Sequence, residues 1–228
     1  MKMRKLIRWI AAAAVTITVC TGFSVAADGY QMYQSALETQ TLEAKVESIQ
    51  SGESYTSLDA LPDTYKNAVV SVEDHRFYSH FGLDPIAICR AIVNDLKAGR
   101  YVEGGSTITQ QLAKNLYFSQ EKELNRKVAE VFLALDLERN YTKDEILELY
   151  VNSIYFGDGH YGVGEASEGY FEKAPADMSE YESTLLAGVP NAPSRYAPTK
   201  NLELAEKRQQ QVLRRMIACG YKAIELPV

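Results

Sequence analysis

The sequence predicts a mainly α-helical domain carried behind one apolar helix. Three observations point there: apolar residues recur at helical spacing along most of the chain, capping signals open several of those stretches, and no segment shows the alternation of a strand. The chain has 228 residues, 46% of them hydrophobic, which is room for one packed domain with an appendage.

Residues 1–8 form a basic tail with Lys2, Arg4, Lys5 and Arg8 and no acid. The uncharged run 9–27, WIAAAAVTITVCTGFSVAA, has 19 residues, close to the roughly 20 that a helix needs to cross a hydrocarbon core. Cations before it and Asp28 after it place Met1 in the cytoplasm and the rest of the chain outside. Trp9 at one end and Tyr30 with Tyr33 at the other would mark the two interfaces. The small residues Val25, Ala26 and Ala27 also suit a cleaved signal peptide. Either an anchor or a cleaved signal would export the rest of the chain.

Residues 28–60 are polar, with a loose helical pattern through Leu37, Leu42, Val46 and Ile49, and read as a stalk or linker before a domain at 61–228. Tyr65, Ala68, Val69 and Val72 define an amphipathic helix that starts near Pro62 and Asp63 and carries Glu73 near its end. Asp84 and Pro85 are a cap and a first-turn proline for a helix ending near Gly99. Thr142 with Glu145, and Ser179 with Glu182, have capping-box spacing. Four glycines between 157 and 164 mark a tight loop, and the last helix runs from about Leu202 to Cys219, stopped by Gly220. Cys20, Cys89 and Cys219 are too few and too widely spaced for a disulfide framework. Cys89, among Ile86, Ile88, Ile92 and Val93, reads as a small core residue.

The formal charge of −6 hides an asymmetry: without the four N-terminal cations, residues 28–228 carry 20 basic against 30 acidic groups, or −10. So acidic a chain is a poor general binder of nucleic acid, whose affinity rests on phosphate neutralisation. An anionic substrate must be met by a local basic cluster.

Three segments could carry chemistry. The stretch VAEVFLALDL at 128–137 is apolar on nearly all faces and so belongs inside, yet holds Glu130. A buried carboxylate needs partners, and Arg126 and Lys127 stand one turn before it. A structural ion pair and a functional site are both compatible with that spacing. A second acidic pair, Glu73 and Asp74, is followed by Phe77 and His80. The third segment, GGSTITQQ at 104–111 with Lys114 and Asn115 one turn on, opens a helix on two glycines and hydroxyls, an arrangement able to face an anion. His75, His80 and His160 fit no metal-ligand spacing, so no protein-held metal is expected.

Together these segments resemble the peptidoglycan glycosyltransferase family, the transglycosylase module of penicillin-binding proteins and its monofunctional relatives. Five motifs occur in order: EDHRFYSHFG at 73–82, GGSTITQQLAKN at 104–115, RKVAE at 126–130, KDEILELYVN at 143–152 and RQQQVL at 208–213. Val151 and Glu172 depart from the family pattern without chemical consequence. The resemblance implies a lysozyme-like helical fold with a large lobe, a small membrane-facing jaw and a cleft between them. It implies polymerisation of lipid II, with Glu73 as general base and Glu130 as the second carboxylate on the donor side. Lys114, Arg126, Lys127 and Arg195 would face the pyrophosphate, and Asp74, Phe77, His80, Thr107, Gln111 and Asn115 would contact substrate. A divalent cation, Mg or Mn, would bridge the pyrophosphate without protein ligands. Partners would be lipid II, the lipid-linked glycan, the membrane and other cell-wall synthesis proteins. The resemblance favours the uncleaved anchor, and it suggests that Ile86 to Leu96, with Tyr101 and Tyr117, form the jaw.

Two rivals arise from the same residues. A transpeptidase would need SxxK, SxN and KTG; Ser119 to Lys122 matches only the first, and 15 residues remain after Leu213. A lysozyme-like hydrolase or lytic transglycosylase would share a fold and a glutamate but would need no cation cluster.

Overall fold

The computed structural model describes residues 2–99, 104–118 and 124–221, with residues 2–8 and 10–15 as backbone alone. The helices are α1 (Lys2–Thr39), α2 (Leu42–Gln50), α3 (Asp63–Glu73), α4 (Pro85–Ala98), α5 (Ile108–Tyr117), α6 (Leu124–Asn140), α7 (Lys143–Ser153), α8 (Gly162–Phe171), α9 (Glu180–Gly188), the short α10 (Pro193–Tyr196) and α11 (Leu202–Ala218).

Their ends follow the local chemistry. Thr107, Thr142 and Ser179 each accept from the backbone N–H three residues on, while Gln110, Glu145 and Glu182 close reciprocal capping boxes at α5, α7 and α9. Asp84 caps α4 ahead of Pro85, and Gly99 ends it at φ 62°. Burial alone would raise the Asp84 carboxyl, but Arg76 and the Ala87 N–H hold it down at about 2. That ion pair ties the 74–84 loop to the start of α4. Glu172 caps α8 at φ 55°, a left-handed position where glycine is at ease.

Tyr65, Phe77, Tyr150 and Phe156 are fully buried among Ile108, Leu112, Leu133, Leu137, Ile146 and Leu147. α3 packs on α9 and α11, α5 on α6 and α7, and α1 on α6. The glycine-rich loop contains a small antiparallel hairpin, β1 (Tyr155–Gly157) with β2 (His160–Tyr161), too short to show alternation in sequence. Gly164 is there because a Cβ would lie 2.0 Å from the Ser54 carbonyl oxygen, where the 51–57 loop crosses α8.

Three expectations change. The 28–60 segment is no detached stalk: α1 continues to Thr39, and Leu42, Val46 and Leu58 join the core. Cys89 is exposed, because α4 buries only Ala91 and leaves Ile86, Ile92, Val93 and Leu96 open. Tyr117 turns from that face to α2's side, donating to the Gln40 carbonyl at 2.9 Å. Tyr101 and Ser119 to Lys122 lie outside the described residues. Among the described residues no helix is long and apolar enough to cross a membrane. The expected span 9–27 includes 10–15, whose side chains lie outside the described residues.

Candidate active site

α3 ends on Glu73, which puts its carboxylate at the wall of a cleft of about 650 Å³. Gln111 and Lys114, one turn apart on α5, line the same wall, and Ser71 and Ser106 lie near them. Facing them, α11 supplies Arg208, Arg214 and Arg215, and α4 supplies Arg90. A smaller hollow of about 320 Å³ continues past Gln111 and Lys114 to Asn115, Tyr155 and Asn191.

Glu73 Oε2 accepts from Gln111 Nε2 at 2.9 Å, while its Oε1 is buried with no hydrogen-bond partner. Burial pushes this carboxyl above its ordinary range; Gln111, Arg208 and Lys114 pull it back, and Asp74 adds to the rise. Burial likewise pushes the Lys114 ammonium down, opposed by Glu130 and reinforced by Arg126 and Lys127. Lys114 thus stands in the field of both expected carboxylates. His75, also at the cleft, is lowered by burial and by Arg90 and Arg215.

Glu130 does not line the cleft. It is fully buried in α6, paired with Arg126 on one oxygen and with Lys127 at 2.6 Å on the other. Lys127 also donates to Ser106 at 2.7 Å, which links the buried carboxylate to the cleft wall. The trio is thus a buried ion-pair network that reaches the cleft wall through Ser106.

Four expected substrate contacts are internal instead. Phe77 is a core residue with no exposed surface. Asp74 is buried, and its Oδ2 meets His80 Nε2 at 2.8 Å and the Ile108 N–H at 3.1 Å, so that the pair fixes the start of α5. Thr107 is the α5 cap and donates to the Gly82 carbonyl at 2.7 Å. Arg195 is exposed on α10 over the Tyr196 ring and lines neither hollow. Sequence reasoning missed Arg90, Arg208, Arg214 and Arg215 as a cluster. The motif RQQQVL contained Arg208, but nothing local indicates that a helix from the C-terminal region closes over Glu73.

Among the described residues no three His, Cys, Asp or Glu are gathered for a metal ion. The donor set does not fit a resident cation either: Glu130 has both oxygens taken by cations, and Glu73 is surrounded by Gln111, Lys114 and Arg208.

A helical domain that sets a raised carboxylate against a cation-lined cleft has the layout of an enzyme acting on an anionic substrate. The family described as transglycosylase matches residues 39–217, and the chain belongs to that family. It is 48% identical over 167 residues to penicillin-binding protein 1A of Aquifex aeolicus, covering 73% of this chain and 23% of that protein. It is 48% identical over 170 residues to penicillin-binding protein 1A/1B of Bacillus subtilis, covering 73% of this chain and 18% of the relative. Penicillin-binding protein 1F of Bacillus subtilis is 44% identical over 165 residues, with 72% and 23% covered. The chain thus spans about a fifth of the length of these relatives.

Proposed function

We propose that the protein is a peptidoglycan glycosyltransferase that polymerises lipid II. The observation that carries this reading is Glu73 as the one acid lining, among the described residues, a cleft that also presents Arg90, Lys114, Arg208, Arg214 and Arg215, in a chain of the transglycosylase family. Glu73 Oε1, lacking a partner, would take the proton of the acceptor's GlcNAc 4-OH. The acceptor's 4-oxygen, its proton passed to Glu73, then attacks the donor's anomeric carbon from the face opposite the pyrophosphate. The bond from that carbon to the phosphate oxygen breaks, the lipid pyrophosphate leaves with the electron pair, and the configuration inverts.

Negative charge on the leaving oxygens grows through this step, so a fixed cation beside them stabilises the transition state more than the ground state. Lys114 holds that position, with Arg126 and Lys127 behind it, and Glu130 keeps those two cations in place. Donor and acceptor each bring a pyrophosphate, and the Arg208, Arg214 and Arg215 set on α11 suits the second. Any Mg or Mn on these phosphates would be held by the substrate's own oxygens, and none of these steps runs through it.

The open apolar face of α4, with Ile86, Ile92 and Leu96, suits a jaw that rests in lipid, where the substrate's prenyl tail lies. Residues 9–27 would anchor the chain in the cytoplasmic membrane with the helical domain on its outer face. Other cell-wall synthesis proteins are natural partners there.

Purified protein with lipid II is expected to yield long glycan strands, and Glu73→Gln to abolish them while leaving the helical fold intact. Full activity in Glu73→Gln would remove Glu73 as the base. Release of muropeptides from finished peptidoglycan, with no strand synthesis, would replace this reading with that of a hydrolase.

A further inference from the structure

The motif at 143–152 contributes a residue that the proposed mechanism leaves without a task. Tyr150 of α7 has no exposed surface, and its hydroxyl donates to Gln111 Oε1 at 3.1 Å. Gln111 in turn donates from Nε2 to Glu73 Oε2 at 2.9 Å. α7, α5 and α3 therefore meet in a chain of two hydrogen bonds that ends on the carboxylate.

We infer that Tyr150 is a positioning residue: its hydroxyl fixes the Gln111 carboxamide so that the NH2 faces Glu73 Oε2, leaving Oε1 as the proton-accepting oxygen. A carboxamide has one acceptor end and one donor end. Flipped, it would turn its oxygen on the Glu73 carboxylate and its NH2 on the Tyr150 hydroxyl, leaving that hydroxyl's hydrogen without an acceptor. Both ends of Gln111 therefore select the same orientation, and in a buried site an unmade hydrogen bond is costly. Burial, followed by the charge of Glu73, pushes the phenol well above its ordinary range, so Tyr150 keeps the proton that it donates.

Other groups also face Glu73. Asp74 comes next in the chain, Lys114 lies on α5 and Arg208 on α11. α9 also packs on α3, but its charges Glu180 and Glu182 lie in its first turn, and Glu182 is paired with Lys173. Those charges stay in place when Tyr150 is changed, so a shift in the Glu73 titration reports the hydrogen-bond chain.

The catalytic consequence rests on the glycosyltransferase reading, but the geometry does not, and the experiment separates them. In the full chain in detergent micelles, the 13C titration of the Glu73 carboxyl is followed by NMR, assigned by its absence in Glu73→Gln. Tyr150→Phe is expected to move that titration upward by about half a unit to one unit, the worth of one net hydrogen bond. With lipid II, the acid limb of the rate profile should move upward by the same amount, with kcat reduced and KM unchanged. Gln111→Met should give a larger shift in the same direction, and the double variant should be no worse than Gln111→Met alone.

An unmoved titration in Tyr150→Phe, or additive losses in the double variant, would overturn the inference. If Tyr150→Phe does not fold, Gln111→Met carries the test, and an unmoved titration there overturns it equally. A shifted titration in a protein that makes no glycan supports the positioning role and removes only the glycosyltransferase reading.

Discussion

Glu73 sits where its charged form is least comfortable and its chemistry most useful. Its carboxyl is raised by burial in the folded protein above the ordinary glutamate value of 4.5. Between the two values the folded chain holds a proton that the unfolded chain has lost, so stability falls as pH rises through that window. The contribution is whole below the ordinary glutamate range and is lost above the raised value. Glu73→Gln removes the titration, so it should unfold at a higher temperature than the parent at neutral pH. The gap should close as the pH falls below about 4; a variant less stable than the parent at neutral pH would contradict the burial argument. Glu130 is the contrasting case, with no exposed surface but satisfied on both oxygens by Arg126 and Lys127. Its presence in an apolar run was legible because a lone acid there requires partners, and both partners lay within one turn. The inward turn of Asp74, Phe77, His80 and Thr107 was not legible, because sequence proximity to a reactive group says nothing about which way a side chain points.

At the scale of elements, α1 and α6 make the most extensive helix pair among the described residues. Gly29 allows their close approach: a Cβ there would lie 2.5 Å from Val128 Cβ and 2.8 Å from the Asn125 carbonyl oxygen. Tyr30 and Tyr33 pack on Phe132, and Tyr33 donates to Asp136. α6 is apolar on most faces for this reason, since α1 covers one side and α5 the other. Replacing a helix-interior glycine by alanine normally stabilises by about 1 kcal/mol. At Gly29 the collision involves backbone, and overpacking costs about 1–3 kcal/mol, so the sign reverses. Gly29→Ala is expected to lower stability against chemical denaturation in micelles, whereas Gly22→Ala, with nothing within 4 Å, should not. Equal behaviour of the two variants would show that the α1 and α6 contact is not tight. Because α6 carries Arg126, Lys127 and Glu130, this packing also fixes where the ion-paired trio stands relative to α1.

For the molecule as a whole, an acidic chain gathers nine of its 24 Lys and Arg residues in two places. Lys2, Arg4, Lys5 and Arg8 precede the apolar run, and Arg90, Lys114, Arg208, Arg214 and Arg215 gather at one cleft. Beside that cleft α4 leaves its apolar face open, with Leu96 77% exposed and Ile86 60%. If that face lies in lipid, a tryptophan introduced by Leu96→Trp, with Trp9→Phe removing the native one, should be quenched by brominated lipid in vesicles. Quenching only by a water-soluble agent would place the face in solvent. The sequence by itself determined where several helices begin, where α4 and α11 end, and that Glu130 must be buried. Those properties depend on caps, periodicity and neighbours within one turn. Only the tertiary structure decided that α11 brings its arginines over Glu73, that Tyr150 reaches it through Gln111, and that α4 is left open. Such contacts join residues far apart in the chain, and packing geometry, which no local pattern encodes, selects them.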